Sequence, residues 1–199
     1  MRRSRTMDAK APPRTLLPLF LDITGRAVLV AGAGAIASRK ALDLMEAGAR
    51  VHVVAPLVSP ELEAARGDAL TIEERPFEER DIDGMWLVFA ATDDPVVQKR
   101  IADQCERAQV FCIAIDDPPN ATAYGGAIIR RGPITIAIST SGEAPALARL
   151  MREVLEQALP DESYVEAARA LREKWKADKV PFASRFAELV EAFKPAPRE

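Results

Sequence analysis

The stretch Ala27-Val28-Leu29-Val30-Ala31-Gly32-Ala33-Gly34-Ala35-Ile36-Ala37 decides how the rest of the chain is read. Its first half is continuously apolar and follows Gly25, which suits a strand buried on both faces of a parallel sheet. Its second half is a GxGxxA turn placed where such a strand hands over to a helix. Gly32 permits the tight turn, Gly34 lets a pyrophosphate approach the backbone, and the small Ala37 allows the helix to lie close to the strand. Ala35 and Ile36 follow at the helix N-terminus, where unpaired amides and the positive end of the helix dipole attract anions. A glycine-rich turn without a ligand is the weaker alternative, so Gly32, Gly34, Ala35 and Ile36 are cofactor-binding candidates.

Outward from this turn, strand and helix patterns alternate. A helix is expected over Ser38 to Ala47, stopped by Gly48, and a strand over Arg50 to Ala55. A short helix near Pro60 to Arg66, strands over Ala69 to Glu73 and Met85 to Ala91, a helix over Pro95 to Ala108 and a strand over Val110 to Ile115 complete the series. This order predicts an α/β fold, a Rossmann-type doubly wound parallel sheet with right-handed crossovers. Beyond Asp117 the pattern changes to a hairpin, Ala127 to Ile129 and Ile134 to Ser139 around Gly132-Pro133. Helices over Pro145 to Ala158, Ser163 to Lys176 and Pro181 to Phe193 finish the chain. No internal repeat is visible. The expected organisation is a basic, unstructured tail over 1–13, a dinucleotide-binding domain over 14–117, a dimerisation segment over 118–160 and a helical region over 161–199. A hairpin and three helices make a poor core alone, so a homodimer is expected.

Composition narrows the class. The chain has 199 residues, 48% of them hydrophobic and 29% charged, enough to bury one α/β core and a smaller appendage. A net charge of -3 argues against a protein that coats nucleic acid. No apolar run is long enough for a membrane span, and the amino terminus, where Met7 is an alternative start, has no secretory pattern. A cytoplasmic protein without membrane or nucleic-acid partners is therefore expected. Cys105 and Cys112 do not form a CxxC pair and read as buried thiols. The single histidine, His52, sits inside a strand, so neither a Ser-His-Asp triad nor a multi-histidine metal site is expected.

Further candidates follow from position. Nicotinamide-binding folds usually carry an acid after the second strand to hold the adenosine ribose, but Val54-Ala55-Pro56-Leu57 has none. Either backbone groups at Ala55, Pro56 and Leu57 hold the ribose or the turn serves no dinucleotide. Thr92 and Asp93 follow the fourth strand at its carboxyl end, where open α/β sheets bind ligands, although Asp93 or Asp94 also suits an N-cap. Asp116 and Asp117 end the fifth strand. They read equally as turn formers or as the site of a general base, and Pro118 suggests that the Asp117 side chain points away. Ser139, Thr140, Ser141 and Gly142 precede the helix that starts near Pro145 and form either an anion site or an ordinary cap, with Arg149 as a nearby cation.

Several of these pieces occur together in one known family. Leu17-Pro18-Leu19-Phe20, the glycine turn with Arg39-Lys40-Ala41, Glu46-Ala47-Gly48-Ala49 and Ala90-Ala91-Thr92-Asp93-Asp94 come first. Arg131-Gly132-Pro133, Ile138-Ser139-Thr140 and Pro145-Ala146-Leu147-Ala148-Arg149-Leu150 follow. In this order and spacing they resemble the precorrin-2 dehydrogenase family, which also forms the amino-terminal module of sirohaem synthase. The resemblance spans about Leu16 to Pro160. It implies NAD as cofactor, precorrin-2 as substrate, sirohydrochlorin as product and an intertwined homodimer. It also implies Asp116 as the catalytic aspartate, cofactor contacts at Ala35, Ile36, Pro56 and Leu57, and a site that lacks the ribose acid. The substrate's carboxylate arms would be received by Ser139, Thr140, Ser141, Gly142 and Arg149. The sequence departs from the family at Ala33, at Tyr124-Gly125-Gly126 and at Thr140 to Glu143. Weak or absent ferrochelatase activity and no resident metal are expected, as is a chain without the methyltransferase domain of larger sirohaem synthases. The alternative from another class is a regulatory module that binds NAD without catalysis.

Overall fold

The computed structural model describes residues 15–159 and 162–193. The expected tail over 1–13 lies outside the described residues. The chain divides into two compact units: one runs to Gly125 and includes Ser141–Glu143, and the other comprises Gly126–Thr140 and Ala144 onward.

The first unit is built on five parallel strands, β1 (Ala27–Ala31), β2 (Arg50–Ala55), β3 (Leu70–Glu74), β4 (Leu87–Ala90) and β5 (Phe111–Ala114). Their order in the sheet is β3-β2-β1-β4-β5. Three helices connect them: α1 (Ala35–Glu46), α2 (Pro60–Ala64) and α3 (Pro95–Ala108). This is the expected α/β doubly wound architecture, and the continuous apolarity of β1 has a direct cause. Val28 and Val30 pack with Ala37, Ala41 and Leu44 of α1 on one face. Leu29 and Ala31 pack with Ile101 and Cys105 of α3 on the other. Both cysteines are reduced and buried. The hydrogen bond to Cys112, with burial, pushes the Cys105 thiol far above its ordinary range.

Several boundaries differ from expectation by a few residues, and the later strand Ala127–Arg131 runs on to Arg131 where a turn was expected from Arg130. Two of the differences have a clear local cause. Helix α1 begins at Ala35, a turn before Ser38, because Gly34 takes the extended N-cap conformation and Ser38 N–H already bonds to Gly34 O at 2.9 Å. Strand β4 begins at Leu87, not Met85, because Met85 N–H closes on Ile82 O at 3.1 Å at the end of a 3-10 helix, Glu79–Ile82. A second 3-10 helix covers Pro118–Asn120. Both short helices escape a reading based on longer periodicity.

In the second unit, β6 (Ala127–Arg131) and β7 (Ile134–Ile138) form the antiparallel hairpin, and α4 (Pro145–Ala158) packs on both strands. The Arg131 guanidinium donates to Glu156 O at 2.9 Å and Leu159 O at 2.5 Å, placing a cation on the carbonyl end of α4. Helices α5 (Glu162–Ala177) and α6 (Phe182–Ala192) pair through buried Trp175, whose Nε1 donates to Glu188 at 2.6 Å, and through stacked Tyr164 and Phe193 rings. Among the described residues no helix is long and apolar enough to cross a membrane.

Candidate active site

The sheet's connections run outward from β1 through β2 to β3, then return to β4 and continue to β5. Open α/β sheets bind ligands at the carboxyl ends of the strands where the direction switches. A cleft of about 970 Å³ opens there, bordered by Gly32–Ala37, Ala55–Leu57, Thr92, Asp93 and Asp116, among others.

The glycine turn is held on three sides. Gly32 has a φ of 124°, its N–H donates to Val54 O at 2.9 Å, and a Cβ there would lie 2.2 Å from Ala91 O. Position 32 therefore accepts only glycine, because the turn rests directly on the end of β4. Ser38, buried in α1, places its Oγ 3.0 Å from Ser59 Oγ and 3.2 Å from Ala33 O. Ser59 in turn caps α2, so the turn and the loop after β2 are tied together. Gly34 differs from Gly32: a Cβ there meets nothing within 4 Å and would project into open space.

At the other half of the cleft, Asp94 is the residue that caps α3, accepting from Val96 N at 2.8 Å and Val97 N at 3.2 Å. Asp93 and Thr92 line the cleft. Asp116 follows β5 with a left-handed backbone, φ 55°, and its side chain is exposed at the cleft. Asp117 lines the cleft as well, where the sequence suggested a side chain turned away. Its Oδ2 accepts from Asn120 Nδ2 at 2.7 Å and so fixes the 3-10 turn that starts with Pro118.

Gln98, Lys99 and Asn120 also line the cleft and were missed from the sequence. Gln98 carried a legible signal: it shares the buried face of α3 with Ile101 and Cys105, where a polar residue is unexpected. Lys99 pairs with Asp103 at 2.7 Å one turn along. Among the substrate-side candidates, Ser139, Thr140 and Arg149 belong to the second unit, and Ser141 and Gly142 to the first. Thr140 Oγ1 accepts from Ala144 N at 3.2 Å at the start of α4, and Arg149 is exposed and paired with Glu153 at 3.0 Å. Gly142 lies against the Pro118 ring and near Tyr124, whose hydroxyl donates to Pro118 O at 3.1 Å.

The lining fits a dinucleotide on two observations. Open space faces Gly34 at the N-terminus of α1, where a pyrophosphate is favoured. At the far half, the buried Oε1 of Gln98 has no hydrogen-bond partner and offers an acceptor.

Comparison with known proteins agrees with this geometry. A family model for NAD(P)-binding proteins matches residues 19–127, and one for the central part of sirohaem biosynthesis proteins matches residues 131–158. Siroheme synthase of Salmonella typhimurium is 43% identical over 145 residues, covering 72% of this chain and 32% of its own length. The Salmonella heidelberg siroheme synthase is 42% identical over the same length. The chain thus spans about a third of these relatives. Among solved structures, the precorrin-2 dehydrogenase SirC superposes with a TM-score of 0.73 at 27% identity, covering 90% of each chain. With a cleft of this form at the switch point and a matched span that contains all of it, the chain belongs to the NAD(P)-binding family represented by these sirohaem biosynthesis proteins.

Proposed function

We propose that this chain is a precorrin-2 dehydrogenase that uses NAD to form sirohydrochlorin. The observation that carries the proposal is the presence of Asp116 in the same cleft as the glycine turn, at the carboxyl end of β5. In this reading the N-terminal amides of α1 hold the pyrophosphate, and the exposed side chains of Ile36 and Leu57 are covered by the adenosine half. Backbone groups at Ala55 to Leu57 serve the ribose, and Thr92 and Asp93 serve the nicotinamide half. Among the described residues that line the cleft the cation is Lys99, which belongs to α3 and not to the loop after β2 where a 2′-phosphate would lie, and this supports NAD.

Bound NAD supplies a hydride acceptor. Oxidation of the substrate also releases one proton, and the Asp116 carboxylate is the base that takes it. Ser139–Gly142 and Arg149 receive the acetate and propionate arms. The organisation proposed is a cofactor domain over 14–117, a dimerisation segment over 118–160 that completes a homodimer, and a helical region over 161–199.

Incubation with NAD and enzymatically made precorrin-2 tests the proposal. Stoichiometric appearance of reduced nicotinamide and sirohydrochlorin is expected. Binding of NAD with no turnover would favour a regulatory module instead. Insertion of iron or cobalt into sirohydrochlorin is expected to stay near the uncatalysed rate.

A further inference from the structure

Ile115, the residue before Asp116, has both backbone polar atoms pinned. Its N–H donates to Ala90 O of β4 at 3.0 Å, and its carbonyl accepts from Nε2 of Gln98 at 3.0 Å. The left-handed backbone of Asp116 follows directly. Aspartate enters that conformation more readily than most side chains, and the pinned Ile115 peptide, one of whose bonds comes from a side chain of α3, fixes the backbone that leads into it. Gln98 is itself 4% exposed.

Knitting α3 to β5 would account for one end of the Gln98 amide. It leaves the other end unexplained: Oε1 is buried, has no hydrogen-bond partner, and belongs to a residue that lines the cleft. Buried polar atoms are nearly always paired, and an unpaired acceptor costs more than the thioether of a methionine filling the same volume. The missing partner is an N–H or O–H donor. At the nicotinamide end of such a cofactor the ribose hydroxyls can accept as well as donate, whereas the carboxamide NH2 only donates, which makes it the group matched to a bare acceptor. The terminal torsion of glutamine is broad, so the amide can tilt toward a donor while keeping its bond to Ile115.

We propose that Gln98 is a positioning residue with two hands: its Nε2 fixes the peptide that precedes Asp116, and its Oε1 accepts a hydrogen bond from the cofactor's carboxamide. One side chain then sets the base and the nicotinamide in register. This inference rests on the dehydrogenase reading above.

The test is calorimetric titration of the full chain with NAD and with its 3-acetylpyridine analogue, in which a methyl group replaces the carboxamide NH2. The parent is expected to bind NAD about three- to tenfold more tightly than the analogue, the worth of one neutral hydrogen bond. Gln98→Met should bind both alike, while Gln98→Glu, which keeps an acceptor but loses the donor, should keep the preference. A purely structural Gln98 would leave the preference unchanged in every variant. A parent-like preference in Gln98→Met, or no preference in the parent, overturns the inference. Should Gln98→Met lose its cooperative melting, the same titrations on Gln98→Asn decide, because that amide is retracted by one methylene: a lost preference supports the inference and a retained one overturns it. Failure of the parent to bind NAD at all overturns the dehydrogenase reading, and the Gln98 inference with it.

Discussion

A carboxylate at position 34 would project into the open space that faces the N-terminus of α1, with nothing within 4 Å to deflect it. Gly34→Asp is therefore expected to fold, with a melting temperature close to the parent's, and to lose NAD binding in calorimetry through exclusion and charge repulsion. A second contrast separates two neighbouring acids. Asp116→Asn keeps shape and removes the base, so NAD should bind normally while dehydrogenase turnover falls by about 10²–10⁴-fold. Asp117→Asn still offers an amide oxygen to Asn120, and its turnover should stay within a few-fold of the parent, since its carboxylate is engaged in the turn. Equal losses in the two variants would strip Asp116 of its assigned role. At this scale the glycine turn was legible because a small residue after a buried strand has few other uses. Gln98 was legible only as a polar residue at helical spacing with Ile101 and Cys105; its role was not, because that rests on a bond to Ile115 O in another segment and an acceptor left over.

Elements were legible wherever one pattern ran long enough: β1, β2, α3 and α4 lie at Ala27–Ala31, Arg50–Ala55, Pro95–Ala108 and Pro145–Ala158, as their apolar runs and prolines indicate. The connection from β3 to β4 was not, since its order comes from side chains. Arg75 donates to both oxygens of Asp81, at 2.9 and 2.6 Å, and Glu78 N–H adds a third bond at 2.8 Å. This clamp shapes the Glu79–Ile82 turn and seats Ile82 in the core. Burial raises the Asp81 pKa, but Arg75 and the Glu78 amide outweigh it and hold the carboxyl below its ordinary value. A depressed folded pKa means stability that is present above the unfolded pKa of about 3.9 and lost as pH falls through the folded value. Asp81→Asn should thus cost about 1.5–3 kcal/mol at neutral pH, as expected for hydrogen bonds to a charged group. The gap between parent and variant should close below about pH 3.9, as measured by urea unfolding across pH. A constant gap down to pH 2 would mean that the charge contributes nothing.

For the molecule as a whole, the informative surface is apolar. On α4, Ala148 is buried against the hairpin side, while Leu147, Leu150, Met151 and Val154 stand 43–58% exposed along another face. On α6, Phe182, Phe186 and Val190 repeat every four residues and are 86%, 74% and 44% exposed. In the other unit Leu17, Leu19 and Phe20 are 62–79% exposed. Scattered exposed leucines need no explanation, but stripes with helical period on two helices of one chain indicate surfaces made to be covered. The folded chain leaves such stripes bare because a small hairpin-and-helix unit lacks the volume to bury them. A second copy is the covering partner that the homodimer reading supplies, and each copy would bury the same stripe of the other. Light scattering at micromolar concentration should therefore give twice the 21.7 kDa mass of the chain. Leu150→Lys with Val154→Lys places two charges in the α4 stripe and should shift the protein to monomer. Both positions lie in the compact unit that does not contain Gly34, so the monomeric variant should still bind NAD, while turnover should fall on the proposed reading that the dimer completes the substrate site. A parent of monomeric mass, or a double variant that remains dimeric, would place the interface elsewhere or remove it.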